Sequence, residues 1–324
     1  MKKTFCLLFI FSVFFAENLR AKINIGILKG MDSIPFAFLY SDAQENQKKL
    51  ENPEISEVSE ISELSEVSEL SEEVKDSSED QSVQPEEKYS FSFFETPLEL
   101  FSKMKAGYID ASIISSESAE KLVKKSNGQV CVCASVTSID FKIVTRRKGN
   151  ISFSDLIGNK VYVAGEGLAH SVFRALLAKN SVPVEEGSAG VEIVVKKSQA
   201  ELVTEFLSKN ADYVLVSEPA LSDIFNRSKN ARVAINIQEQ YETVFGYGKK
   251  LPRSVLVVCR DLAEGSPREF KDFLSDVEFS VQRASRKPRG AAGIAAKNNF
   301  GVNKRISAQA IAGTKFNFYT MPLD

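Results

Sequence analysis

Thr96-Pro97-Leu98-Glu99-Leu100-Phe101 begins a stretch that continues through Met104 to Asp110-Ala111-Ser112-Ile113-Ile114-Ser115-Ser116-Glu117, and its reading decides the fold. The stretch has a counterpart 102 positions later: Ser198-Gln199-Ala200-Glu201-Leu202 leads through Phe206 to Asp212-Tyr213-Val214-Leu215-Val216-Ser217-Glu218-Pro219. Each copy starts with a hydroxyl side chain and places a Glu three residues on. That is the pattern of a capping box, in which two otherwise unpaired amides are satisfied at a helix start. Leu100, Phe101 and Met104 share one face of the first helix, and Leu202, Val203, Phe206 and Leu207 one face of the second. In both copies an Asp then leads into a short aliphatic strand, a polar turn follows, and a further helix starts near Ser118 or Ala220. The same helix–strand–turn–helix unit used twice predicts two α/β lobes of similar plan.

Around this repeat, short aliphatic runs alternate with amphipathic helices. Strands are expected at Ile23–Leu28, Tyr89–Phe94, Ile109–Ile114, Val130–Ala134, Phe141–Thr145, Lys160–Ala164, Val191–Val195, Asp212–Ser217 and Val255–Cys259. A third capping pattern, Ser266-Pro267-Arg268-Glu269, opens a helix with Phe270, Phe273, Leu274, Val277 and Val281 at helical spacing. Strands alternating with helices imply mainly parallel sheets covered on both faces. Ligands of such sheets bind beyond the carboxyl ends of the strands, where helix starts offer free amides. Four exits collect small or polar residues there: Gly30-Met31-Asp32-Ser33-Ile34-Pro35, Ser115-Ser116, Gly165-Glu166-Gly167-Leu168-Ala169-His170 and Ser217-Glu218-Pro219. Two lobes facing each other through these ends would form a cleft for a small molecule.

The 324 residues are 43% hydrophobic and 26% charged, enough apolar material for a core and too much for a disordered chain. A net charge of −2 argues against nucleic-acid binding, but the average hides an asymmetry. Residues 45–87 hold 15 acidic and 3 basic side chains, so the rest of the chain is mildly basic. Within that segment Ile55, Val58, Ile61, Leu64, Val67 and Leu70 recur every third residue in an aliphatic-Ser-Glu pattern. A period of three drifts by about 60° per repeat on a 3.6-residue helix, so no lasting apolar face forms. Residues 42–87 are therefore expected to be a disordered acidic loop. A charged recognition segment is the sharper alternative.

At the other end, Lys2 and Lys3 precede an apolar run from Phe5 to Ala16. It is shorter than the roughly 20 residues a membrane-spanning helix needs. With the small residue Ala21 beyond it, the run reads as a secretory signal cut near Ala21, and Cys6 sits too early to be a lipid anchor. Cys131, Cys133 and Cys259 would remain. Buried free thiols are the default for them, a link from one of the first two to Cys259 is the alternative, and their spacing suits no zinc site.

Together these stretches resemble a known family. GMDSIPFAFL at 30–39, AGYIDASII at 106–114, SFSDLIGNKVYVAG at 152–165, ADYVLVSEP at 211–219 and the run from Pro252 to Asp261 are similar to the substrate-binding proteins of ABC importers. The similar branch takes nitrate, sulfonates, taurine or thiamine precursors. The resemblance implies a two-lobed periplasmic-binding-protein type II fold closed by a hinge, with a first lobe of 22–134 plus 236–324 and a second of 135–235. It further implies that Ser33, Pro35, Ser115, Ser116, Gly165, Glu166, Gly167, His170 and Glu218 face the cleft. The function so implied is an extracytoplasmic, periplasmic receptor, monomeric, that passes a small anion or small aromatic molecule to a membrane permease.

Neither a catalytic residue nor a cofactor nor a metal is expected. His170 is the only histidine, and no nucleophile motif accompanies it. Gly165 and Gly167 lack the third glycine of a dinucleotide fingerprint, that place being taken by His170. Phe36, Phe38, Tyr241, Phe245 and Tyr247 are candidates for a stacking wall or for core. Two other classes of function compete: an enzyme on the same scaffold, such as a cofactor-precursor synthase or small-acid lyase, and an adhesive surface protein working through the Ser-Glu repeat.

Overall fold

The computed structural model describes residues 22–51, 87–185, 187, 189–247 and 250–323. The expected signal segment and the aliphatic-Ser-Glu repeat lie outside the described residues. The chain builds two sheets. The first has the order β11-β4-β10-β3-β1-β2 and the second β7-β6-β8-β5-β9. In the first, β1 (Ile23–Leu28), β2 (Tyr89–Phe94) and β3 (Ala111–Ser115) are parallel, and β10 (Pro252–Cys259) runs antiparallel between β3 and β4 (Val130–Ser138). The strand β11 (Phe316–Thr320) closes the far edge. In the second, β6 (Lys160–Ala164), β7 (Glu192–Lys196) and β8 (Tyr213–Val216) are parallel, while β5 (Lys142–Thr145) lies antiparallel between β8 and β9 (Arg232–Asn236).

Both sheets are thus mixed rather than mainly parallel. The chain leaves the first sheet from β4 through Ile139-Asp140-Phe141, and rejoins it at β10, which starts at Pro252. Strands that follow such crossings arrive from the opposite end, which makes β5 and β10 antiparallel to their neighbours.

Side chains alternate along the strands, with irregularities where β4 meets β10 and β11, so each sheet carries a core on both faces. Ile113, Leu256 and Val258 face one core of the first sheet, with Phe273, Val277 and Val281 of the long helix 267–286. Ile114, Val255 and Val257 face the other, against Leu100 and Met104 of α2 (Pro97–Lys105) and Leu122 of α3 (Ser116–Lys125). In the second sheet Ile143 and Leu215 meet Phe173 and Leu176 of α4 (Leu168–Lys179). Val144 and Val214 meet Phe206 and Leu202 of α5 (Gln199–Leu207) on its other side.

The capping patterns divide. Thr96 and Glu99 form the complete reciprocal box. Ser198 accepts the amide of Glu201 at 3.2 Å, but the Glu201 carboxylate takes the Lys197 amide instead. Ser266 makes no side-chain cap. The acidic segment also differs at its start from the loop expected there. Helix α1 runs from Ala37 to Glu51, so residues 42–51 are helical. The Asp42 carboxylate pairs with Arg283 of the long helix 267–286, and Gln47 bonds Glu51 one turn on, so one tertiary and one local bond support the helix past its apolar part.

The three cysteines among the described residues, Cys131, Cys133 and Cys259, are free. Val258 lies opposite Cys131 in the β10–β4 register, which puts Cys259 opposite Val130. Cys131 and Cys133 therefore enter one core and Cys259 the other, on opposite faces of the sheet, where no disulfide can join them. Burial pushes the Cys259 thiol up to about 12 and raises Cys131 and Cys133 as well, as expected for apolar packing residues.

Phe206 joins the second lobe's layers. It is fully buried, and Arg146 lies 4.2 Å from its ring centre while donating to the carbonyls of Phe206 and Ala211 at 2.6 and 3.1 Å. Replacing Phe206 by Ala is expected to lower the stability of the fold by about 3–5 kcal/mol, read from urea unfolding.

Candidate functional site

A cavity of about 790 Å³ opens between the two lobes, within the size range of small-molecule sites. One wall is the start of α3, with Ser116, Glu117, Glu120 and Lys121. The opposite wall is the turn from β6 into α4, with Gly165, Glu166, Gly167 and Leu168. Phe141, on the outgoing crossing, and Gln199, at the start of α5, complete it. Both long walls are therefore helix starts, as the strand-exit argument requires.

Local chemistry fixes these walls. Ser115 caps α3: its hydroxyl accepts the Ser118 amide at 3.2 Å and donates to the Ser118 hydroxyl at 2.9 Å. Ser116 turns the other way and donates to the carbonyls of Pro252 and Arg253 at 2.7 and 3.1 Å, tying the helix start to the returning strand. Gly165 adopts φ +67°, a left-handed conformation that lets β6 turn sharply into α4, and its amide still reaches the Lys196 carbonyl at 2.8 Å. The residue before α4 is Gly167, which has no side chain to cap the helix. The Glu117 carboxylate does so instead, crossing from the other lobe to accept the Leu168 amide.

The expected cleft residues fall into three groups. Ser116, Gly165, Glu166 and Gly167 line the cavity. Ser115 and His170 border it: Ser115 as the cap of α3, His170 half-buried between the lining residues Ala169 and Ser171. Ser33, Pro35 and Glu218 stand apart. The Ser33 side chain is fully buried and donates to the Leu28 carbonyl at 2.6 Å, and Pro35 is buried in the short helix Met31–Phe36. The proposed stacking aromatics also divide: Phe36 and Phe38 are core, Tyr241 and Phe245 pack on each other at 4.5 Å, and Tyr247 is 90% exposed. Glu117, Glu120, Lys121, Phe141 and Gln199 were not singled out. Glu117 was legible only as the last residue of the turn Ser115-Ser116-Glu117.

Glu218 belongs to a second, buried feature beside the cavity, at the point where the crossings meet. Arg253 donates to Asp140 at 2.8 Å and to the Glu218 carbonyl at 2.9 Å, with Asp32 3.9 Å away. The Glu218 amide reaches Asp140 at 3.3 Å, and the Glu218 carboxylate accepts the Ser222 amide at 3.1 Å. Asp32 and Arg253 come from the first lobe, Glu218 from the second, and Asp140 from the segment that joins β4 to β5. Burial opposes the charge on Arg253, but Asp140 and Asp32 outweigh it and raise its pKa. Burial raises Glu218 and Asp32, in each case with Asp140 adding to the effect. Among the described residues no group of His, Cys, Asp and Glu side chains is arranged to hold a metal ion.

No protein-family model matches the sequence, and no curated protein matches it. Solved structures do match in fold. A crystal structure described as an ABC transporter from Parabacteroides distasonis superposes with a TM-score of 0.61 at 13% identity, covering 93% of this chain and 87% of its own. The periplasmic aliphatic sulphonate-binding protein SsuA of Escherichia coli gives 0.61 at 13% identity, with 94% and 82% covered. The periplasmic nitrate-binding protein NrtA of Synechocystis gives 0.50 at 12%, with 93% and 74% covered. The chain has the two-lobed, type II scaffold of ABC-importer substrate-binding proteins.

Linkage gives the pH dependence of the crossing point. Because the native pKa of Glu218 lies above its ordinary value of 4.5, the folded protein takes up this proton more readily than the unfolded chain. Its burial thus costs stability above the raised value, and the cost disappears as pH falls to the ordinary range. Glu218→Gln is expected to raise the melting temperature at pH 8, with the gain shrinking towards pH 4.5. A thermal melt series across that range checks it.

Proposed function

We propose that the protein is an extracytoplasmic solute receptor: it captures a small molecule in the inter-lobe cavity and delivers it to an ABC permease. The observation that carries this reading is the cavity's position, between two lobes joined, among the described residues, by two crossings and walled by helix starts from both. A guest there touches both lobes only when they are closed, so binding shifts an open–closed equilibrium towards the closed form. No bond has to be made or broken.

The site assigned to this role comprises Ser116, Gly165, Glu166 and Gly167 from the expected set, with Glu117, Phe141 and Gln199 beside them. Ser115 and His170 support the walls. Glu218 acts indirectly, at the point where the lobes meet, and Ser33 and Pro35 pack within the first lobe. Phe141 offers an apolar surface for a small aromatic ring. Export through a signal cut near Ala21 suits the reading, as does the fact that no helix among the described residues is long and apolar enough to cross a membrane. Fold likeness to sulphonate- and nitrate-binding proteins supports the class of function and leaves the solute itself to the residues of this cleft.

Native mass spectrometry of the purified protein is expected to find a small molecule bound. Adding it back at about 100 times its dissociation constant should stabilise the fold by roughly 2.7 kcal/mol. Removal of residues 52–86 should leave that stabilisation intact. No bound molecule, and no stabilisation by nitrate, sulfonates, aminopyrimidines or flavins, would contradict the reading.

A further inference from the structure

We propose that Glu117 is the specificity-determining residue of this cleft: its carboxylate fills the seat an anionic guest would take, so the cleft excludes small anions and selects a solute that presents positive charge. The inference rests on the solute-binding reading above.

The seat is the start of α4. The first amides of a helix have no intrahelical partner, and the positive end of the dipole favours a negative group there. In this chain Glu117 supplies that group from the opposite lobe, by accepting the Leu168 amide. Gly167 makes the approach possible. Its backbone is extended, at φ −83° and ψ −150°. A Cβ at this position would stand 2.7 Å from the Glu117 carboxyl carbon, so a side chain here would push the carboxylate aside. The missing side chain is a notch shaped around the carboxylate.

The rest of the lining agrees with the seat. Glu120 is paired with Lys124 at 2.6 Å, and Glu166 lies exposed on the rim. Among the described lining residues Lys121 is the one Lys or Arg. An anion in the cavity would thus meet Glu117 and Glu166 across a space where helix amides would otherwise have drawn it in. A guest with an ammonium or amidinium group meets two carboxylates, with Phe141 as an apolar surface beside them.

Calorimetric titration of the full chain with methanesulfonate tests this. Wild type is expected to bind it at least tenfold more weakly than Glu117→Ala and Glu117→Gln. Gly167→Ala, which expels the carboxylate without removing it, should move affinity in the same direction. The small molecule released from wild type should migrate as a cation at pH 7 and bind Glu117→Ala at least tenfold more weakly. Glu117 is exposed, so melting temperatures of its variants should stay close to wild type. Equal methanesulfonate affinity in wild type and variants, or a released solute that is an anion, overturns the proposal. If no solute is released and methanesulfonate binds none of the proteins, the solute-binding reading falls, and this proposal with it.

Discussion

Arg253 holds the molecule's two crossings to each other. It opens the strand that returns to the first sheet, and its guanidinium grips Asp140 on the segment that leaves it. It also takes the backbone carbonyl of Glu218 in the second lobe. A buried ion pair earns little net stability, because desolvating both charges cancels much of their attraction. What this one supplies is a fixed contact where the lobes join, with three carboxylates gathered around one guanidinium. The cavity lies beside it, and under the proposed closure this contact would serve as the pivot.

The C-terminal part of the chain adds a further tie. Gln309, in the helix Lys304–Gly313, accepts a bond from Asn226 of the second lobe at 3.0 Å, and Gly313 passes close to the Glu218 carboxylate. Together with the Arg253 bond to the Glu218 carbonyl, these contacts bring the first lobe against the second along one edge. The other edge is the cavity, where Glu117 spans the gap to Leu168. A hinge with one firm edge and one lightly held edge is the geometry of a jaw.

Much of this was legible in the chain because buried strands and amphipathic helices write themselves plainly. Ile23–Leu28, Tyr89–Phe94 and Lys160–Ala164 have the bounds their aliphatic patterns predict. Arg232–Asn236 and Phe316–Thr320 did not announce themselves: both are sheet edges with mostly half-exposed side chains, so their composition lacks the apolar signal of an interior strand. Strand direction was illegible too, since Val255–Cys259 reads the same whether it runs with or against its neighbours. At the site, glycines at strand exits pointed to the cavity wall. Ser33 and Pro35 lay on an equally suggestive exit but turned inward as packing. Glu117 escaped notice because its role depends on a contact 51 residues away, between lobes, which no local spacing encodes.

Small-angle X-ray scattering tests most directly whether the halves close on a guest. The full chain, stripped of its small molecule by dialysis under mild denaturant and refolded, is measured before and after that molecule is returned. The account predicts a smaller radius of gyration and a narrower maximum dimension on its return, with no change in mass. Identical scattering curves from the stripped and reloaded protein would contradict it.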